Sequence, residues 1–236
     1  AERLVEGFLR HTNGVACHQD ACHIQSLHSD KETLAGLTDK VFFRDPAVLE
    51  EHVTVWRKLW SGEPVTYQGS DFKLTDHTIG PLPWNEAGPP VLMTAGNRGE
   101  FIPAQIDRFA RLGDGIITTY LTDDDCRKLR ALCNEALAKQ NRSLPDFPMC
   151  VYTTVRIEND VAKAEADTAK FLAEYYGGGV NYRGLMGLGP VAKVIETLKL
   201  YEAAGVTDLC IRIAGTDQVA QMETFVRDVA PAFAKK

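Results

Sequence analysis

Long apolar runs are missing from this sequence. No stretch approaches the roughly 18 consecutive apolar residues that a membrane-spanning helix needs, so no membrane partner is expected. Basic blocks are missing too: 26 Lys and Arg stand against 32 Asp and Glu, a formal net charge of −6, and the charges are dispersed along the chain. Nucleic acid is therefore not expected as a partner. The N-terminus lacks the basic-then-apolar design of a signal peptide, and a cytoplasmic location is the expectation. Six cysteines (17, 22, 126, 133, 150 and 210) could pair, but the chain is too large to need staples and a reducing compartment would keep them as thiols. Ala1 stands where an initiator Met would be expected, which raises a processed or partial chain. What is there, 236 residues with 44% hydrophobic and 25% charged, suits one large domain with a sizeable core.

Hydrophobic periodicity organises the last three quarters of the chain into alternating helices and strands. Leu49, Val53, Trp56, Leu59 and Trp60 recur at helical spacing and stop at Ser61-Gly62, which predicts a helix over 49–60 with Trp56 and Trp60 in the core. A polar, turn-rich excursion fills 63–90. The pattern then predicts a strand over 91–95, a helix over 103–112 ending at Gly113, a strand over 116–120 and a helix over 123–139. A β-branched strand over 149–157 and a helix over 161–176 follow, the latter broken by Gly177-Gly178-Gly179. Gly189, with Pro190 at the first helical position, opens a helix to 204, and Gly205 closes it before a strand over 209–214 and a final helix over 218–233. Four strands, apolar on both faces and separated by helices, indicate a parallel sheet covered on both sides or closed into a barrel.

Residues 1–46 break this regularity. A short helix over 2–10 is conceivable, and the rest has no sustained period. The repeated ACH gives Cys17-His18 and Cys22-His23, with His28 nearby. Zinc motifs separate two ligand pairs by a long arm so that four side chains converge, whereas here four candidates crowd into seven residues. No metal site is expected, and adjacency alone does not make a Cys–His nucleophile pair.

The stretches VWRKLWSGEPVTYQGSDFKL, PPVLMTAGNRGEF, FARLGDGIITTY and YEAAGVTDLCIRIAGTDQVAQMETFVRDVAPAF resemble, in order and spacing, the bacterial luciferase-like flavin and deazaflavin oxidoreductases. The resemblance covers roughly residues 47–236. It implies an α/β fold, the luciferase-like TIM (β/α)8 barrel, of which the last four βα units are recognisable. Residues 1–46 are too short for four more units, since a whole barrel takes about 250 residues. The expectation is an irregular N-terminal segment over 1–46 and an incomplete barrel portion over 47–236. The resemblance further implies FMN or coenzyme F420 as cofactor, a small organic substrate, and monooxygenase or hydride-transferring dehydrogenase activity. A non-catalytic flavin-binding protein, or a partial barrel needing a partner chain, is the alternative. Open sheet edges make a homo-oligomer the expected state.

In PPVLMTAGNRGEF an apolar run feeds a turn of small and polar residues. The loop after a parallel strand lies on the active face of a βα unit, where the next helix offers backbone N–H groups. Gly96 and Gly99 would let backbone approach an anion, while Asn97 and Arg98 add a donor and a charge. By the resemblance this loop holds the flavin phosphate, which makes Thr94, Ala95, Gly96, Asn97 and Arg98 cofactor candidates. Glycine required only for the turn's backbone angles would look the same, and Ala95 replaces one of two glycines common in the family. Thr118-Thr119-Tyr120 would place hydroxyls on one face, with Thr118 and Thr119 near the isoalloxazine or ribityl chain by family position; threonines are also simply good strand residues. Gly187-Leu188-Gly189-Pro190 reads as a second anion nest or a plain helix start. Arg212, inside an apolar strand, must find an anion or a carboxylate, because an unpaired buried guanidinium is costly; a cofactor phosphate and a structural ion pair both satisfy this. The family draws much of its substrate pocket and its acid–base residues from the barrel's N-terminal half, so no catalytic side chain is assigned.

Overall fold

The computed structural model describes residues 46–85, 88–96, 99–176 and 184–234. The Cys–His cluster, the possible helix over 2–10 and the Gly177-Gly178-Gly179 break lie outside them, as do Asn97 and Arg98. The described residues form two units. The first holds those up to Thr94 together with Arg108–Gly115, and the second holds those from Ala95 to Asp107 and from Ile116 onward. Among the described residues no helix is long and apolar enough to cross a membrane.

In the first unit, helix α1 (Pro46–Leu59) starts on a proline, whose missing N–H has no helical partner to lose at this position. It buries His52, Val53 and Val55, and Gly62 turns the chain out of it at φ +80. Trp56 and Trp60 are half-buried rather than core, stacked on each other with ring centroids 6.5 Å apart. The excursion over 63–90 conceals an antiparallel hairpin, β1 (Val65–Gln68) and β2 (Lys73–His77). Only Val65, Tyr67 and Leu74 carry its inward apolar alternation, too few to stand out among turn residues. Strand β3 (Leu92–Thr94) ends the continuous part of the unit. Further on, Asp114 accepts from Arg57 Nη2 and from the Val91 amide, each at 2.8 Å.

Glu51 fastens the hairpin tip. Its carboxylate accepts the amides of Ser70, Asp71 and Phe72 at 3.0, 3.0 and 2.8 Å and the Ser70 hydroxyl at 2.6 Å. The Phe72 amide first, then the Ser70 hydroxyl, hold the Glu51 carboxyl down at about 2. A carboxyl whose folded pKa lies below its unfolded value, about 4.3, stabilises the fold above that value and loses the contribution as pH falls through the folded one. Wild-type melting temperature should therefore fall more steeply between about pH 4.5 and 2 than that of Glu51→Gln. Parallel thermal melts across this range test it, and superimposable slopes would refute it.

The chain runs through helix α2 (Pro103–Leu112) into strand β4 (Gly115–Thr119), most of which belongs to the second unit. There follow helix α3 (Asp123–Lys139), strand β5 (Met149–Ile157), helix α4 (Val161–Tyr176), strand β6 (Gly187–Gly189), helix α5 (Val191–Ala203), strand β7 (Asp208–Ile213) and helix α6 (Gln218–Thr224). A capping box opens α3, in which the Asp125 amide donates to the Thr122 hydroxyl at 3.1 Å and the Asp125 carboxylate accepts from the Thr122 amide at 3.3 Å. Strand β6 occupies Gly187–Gly189, read from the sequence as a plain helix start or an anion nest, and directly precedes Pro190, the cap of α5. The expected final helix is α-helical only to Thr224; one π-helical turn (Phe225–Val229) and one 3-10 turn (Ala230–Phe233) complete it, the latter holding Pro231, which cannot donate a helical hydrogen bond.

The long β5 organises a parallel sheet. It pairs with β4 through Ile116↔Met149 to Thr119↔Tyr152, with β7 through Cys150↔Asp208 to Val155↔Ile213, and with β6 through Val155↔Gly187 to Ile157↔Gly189. Helix α5 packs closely on this sheet: a Cβ placed on Gly187 would stand 3.0 Å from Val194 and 3.1 Å from Val155. Val151, Val155 and Ile116 are fully buried. The sheet is not apolar on both faces as the sequence suggests. Thr119 is the register partner of Tyr152, Thr154 is the partner of Arg212, and Tyr152 and Thr154 lie two residues apart, so these four side chains share one face.

Candidate functional site

The chain enters the second unit at Ala95, fully buried, and bends at Gly96, whose φ is +84. A Cβ on Gly96 would stand 3.0 Å from the Phe101 ring and 3.1 Å from the Glu100 carbonyl, so the turn has room only for glycine. Both backbone groups of Gly96 are engaged. Its amide donates to Gln105 Oε1 at 3.1 Å, and its carbonyl accepts from the Thr118 hydroxyl at 2.9 Å. The Gly96 N–H is thus committed to a side chain in the first turn of α2. Beyond the bend, Gly99 has φ +78, and a Cβ there would stand 3.4 Å from Asp125 Oδ2. Thr94, half-buried at the end of β3, belongs to the first unit.

Thr118 and Thr119 do not share a face, because successive strand residues point in opposite directions. Thr118 turns to Gly96, whereas Thr119 shares the face of Tyr152, Thr154 and Arg212. The Thr119 hydroxyl is buried and has no hydrogen-bond partner among the described residues. Tyr120 follows at φ +56, a left-handed conformation that costs a bulky L-residue about 1–2 kcal/mol. This reversal ends β4, and the Tyr120 hydroxyl meets Arg212.

Arg212 is 9% exposed. Its Nη2 donates to the Tyr120 hydroxyl at 2.8 Å and to Thr154 Oγ1 at 2.9 Å, its Nε to Thr154 Oγ1 at 3.2 Å, and its Nη1 to the Tyr176 hydroxyl at 2.7 Å. The guanidinium carbon also lies 5.0, 5.6 and 5.3 Å from the ring centroids of Tyr152, Tyr175 and Tyr176, within cation–π range. Of the two expected partners, an anion or a carboxylate, the described residues supply no carboxylate: among them Arg212 has no ion pair. Burial first, then the Tyr176 hydroxyl, push the Tyr120 phenol well above its ordinary pKa, so it remains neutral. Arg156 is held differently. It bonds Asp217, pairs with Asp167 at 3.0 Å and lies 3.9 Å from Glu158.

Tyr152, Thr154, Tyr175 and Tyr176, and the Tyr120 contact to arginine, escape a reading of the sequence. Alternation in VYTTV shows that Tyr152 and Thr154 share a face, but only the pairing register puts Thr154 opposite Arg212. Burial, first, pushes the Cys126 and Cys133 thiols up to about 12, so these two stay protonated.

Residues 28–208 match the sequence profile of the family described as luciferase-like monooxygenase. The chain belongs to that family. Both the resemblance carried by the motifs and the luciferase-like α/β fold with its parallel core are borne out. A luciferase-like relative, the F420-dependent glucose-6-phosphate dehydrogenase of Rhodococcus erythropolis, is 26% identical over 209 residues, which cover 78% of this chain and 60% of the relative. Among solved structures, the coenzyme F420 dependent tetrahydromethanopterin reductase from Methanopyrus kandleri is similar with a TM-score of 0.63 at 18% identity, covering 79% of this chain and 63% of that one. A monooxygenase from Streptomyces bottropensis has a TM-score of 0.63 at 16% identity, covering 80% and 61%. At such identities the two structures speak for the fold alone. The chain spans about 60% of the length of the proteins it matches.

Proposed function

We propose that this chain is a luciferase-like oxidoreductase that uses FMN or coenzyme F420 on a small organic substrate, with F420-dependent hydride transfer as the first reading and flavin monooxygenation as the second. The relative named as an F420-dependent dehydrogenase supports the first. The free thiols of Cys126, Cys133, Cys150 and Cys210 support a cytoplasmic setting. A homo-oligomer fits β7, which pairs only with β5 among the described residues.

The observation that carries the cofactor reading is the Thr119 hydroxyl. A buried hydroxyl left unsatisfied costs about 1–3 kcal/mol, and this one shares its sheet face with the Arg212 cluster. A flavin or deazaflavin carries ring and ribityl polar atoms suited to such a hydroxyl, so the residues present fit the group. When bound, it supplies the hydride-accepting or oxygen-activating ring, while the protein positions it and excludes competing reactions. Thr119 orients it by a hydrogen bond; Ala95 and Gly96, fixed by Thr118 and Gln105, shape the neighbouring turn without side-chain bulk. Asn97 and Arg98, outside the described residues, complete the proposed contacts.

Titrations of FMN, riboflavin and F420, followed by their fluorescence, test the reading. One of them should bind saturably. Thr119→Val should weaken that binding about two- to tenfold, the worth of one net hydrogen bond, while leaving the melting temperature of the unliganded protein no lower. Failure of all three to bind, or unchanged affinity in the variant, would count against it. Substrate-dependent reduction of oxidised F420, or oxygen-dependent turnover of reduced FMN, separates an enzyme from a binding protein.

A further inference from the structure

We infer that Arg212 is the centre of an oxyanion-binding subsite for a carboxylate or phosphate-type group carried on a planar or apolar body. The inference takes the proposed oxidoreductase function as the reason for a substrate there, but its test does not need a cofactor. Three features of the cluster converge on it. First, the guanidinium is buried, yet among the described residues every hydrogen-bond acceptor it has is a neutral hydroxyl. Residues 177–183, which follow Tyr176, carry no Asp or Glu. Second, a guanidinium has five N–H donors and this one makes four hydrogen bonds, leaving one Nη1 proton without a partner among the described residues. Third, the rings of Tyr152, Tyr175 and Tyr176 surround the cation, and Tyr175 and Tyr176 are 43% and 39% exposed, so the cluster reaches solvent along an aromatic wall.

Arg156 is neutralised by carboxylates, whereas Arg130 rests on the carbonyls of Phe147 and Gly205; Arg212 differs from both in its three aromatic neighbours and its remaining Nη1 proton. A buried cation held by phenols and a threonine is oriented without being neutralised, which suits a charge that arrives with a ligand. The two phenols that accept from Arg212 are linked to each other, the Tyr120 hydroxyl donating to the Tyr176 hydroxyl at 3.2 Å, which holds the guanidinium in a fixed orientation. The flanking rings favour an acid with a flat body.

Benzoate is the probe and benzamide its neutral counterpart, tested on the full chain by calorimetry and thermal melts. Benzoate should bind saturably and raise the melting temperature, and benzamide should do neither. Arg212→Met, close in volume and uncharged, should weaken benzoate at least tenfold and, without ligand, melt lower than wild type, because the buried hydroxyls of Thr154 and Tyr120 lose their donor. Equal response to benzoate and benzamide, or undiminished benzoate binding in the variant, overturns the inference. If Arg212→Met does not fold, Arg212→Lys decides. It keeps the charge and loses the planar fork, so benzoate affinity should fall about tenfold, and an unchanged affinity overturns the subsite. Two further arms identify the natural oxyanion. Displacement of benzoate by FMN but not riboflavin assigns the subsite to the cofactor's phosphate, and benzoate retained beside saturating FMN assigns it to the substrate. A protein that binds benzoate and no flavin would sink the proposed cofactor while leaving the subsite standing.

Discussion

Gly184→Ala is expected to destabilise the protein and to abolish benzoate binding at Arg212 together. A Cβ at Gly184 would come within 2.5 Å of both the Cα and the carbonyl carbon of Tyr120 and within 2.9 Å of the Leu121 amide nitrogen. These are backbone atoms, which cannot swing away as a side chain can. They belong to the residue that ends β4 at φ +56, and the neighbouring Leu185 amide donates to the Leu121 carbonyl at 3.2 Å. The methyl group therefore pushes on the support of the Tyr120 phenol, which holds Arg212 Nη2. Overpacking of this kind costs about 1–3 kcal/mol, and each kcal/mol lowers the melting temperature of a domain of this size by about 2–4 °C. A fall of about 2–12 °C is expected, with benzoate affinity down by more than tenfold. Melts and benzoate titrations on the purified variant check both. A wild-type melt would show that the segment yields easily, and a destabilised variant with intact benzoate binding would uncouple Gly184 from the site.

The elements legible in the sequence are those with chemical punctuation. Helix α3 begins where Thr122 and Asp125 form their capping box, α2 begins on Pro103, and the nine residues of β5 include a β-branched run. Elements without punctuation were not legible. The three-residue β6 is Gly-Leu-Gly, too short and too glycine-rich to show a period of two, and the β1–β2 hairpin has too few inward apolar residues. The bend at Gly96 was legible because glycine marks a positive φ, whereas the engagement of its amide by Gln105 depends on how the first turn of α2 comes back to it. Arg212 was legible as an anomaly, a charge within an apolar strand. Its partners were not, since Thr154 and Tyr120 lie 58 and 92 residues away and meet it through strand register and a backbone reversal. The expectation of an anion or a carboxylate follows from the cost of an unpaired buried charge; the described residues offer neutral hydroxyls and aromatic faces.

The other large effect is expected at Tyr201, on the inner face of α5 and fully buried. Its hydroxyl lies 2.9 Å from the carbonyls of both Leu121 and Leu185, and so joins the segment leaving β4 to the segment entering β6. Burial, first, pushes its phenol well above the ordinary value, and the proton stays on the oxygen to be donated. Tyr201→Ala removes the ring as well as the hydroxyl, and truncation of a large buried aromatic costs about 3–5 kcal/mol, a fall of about 6–20 °C at this chain size. Tyr201→Phe keeps the ring and should cost only about 1 kcal/mol. Neither carbonyl is left bare, because Leu121 O still accepts the Leu185 amide and Leu185 O still accepts the Thr153 hydroxyl at 2.7 Å. The pair therefore separates packing from hydrogen bonding. Since Leu121 directly follows Tyr120, Tyr201→Ala should also weaken benzoate binding, whereas Tyr201→Phe should retain it. If Phe proves as damaging as Ala, the hydroxyl rather than the ring holds the two segments together, and the ordering of costs argued from burial is wrong.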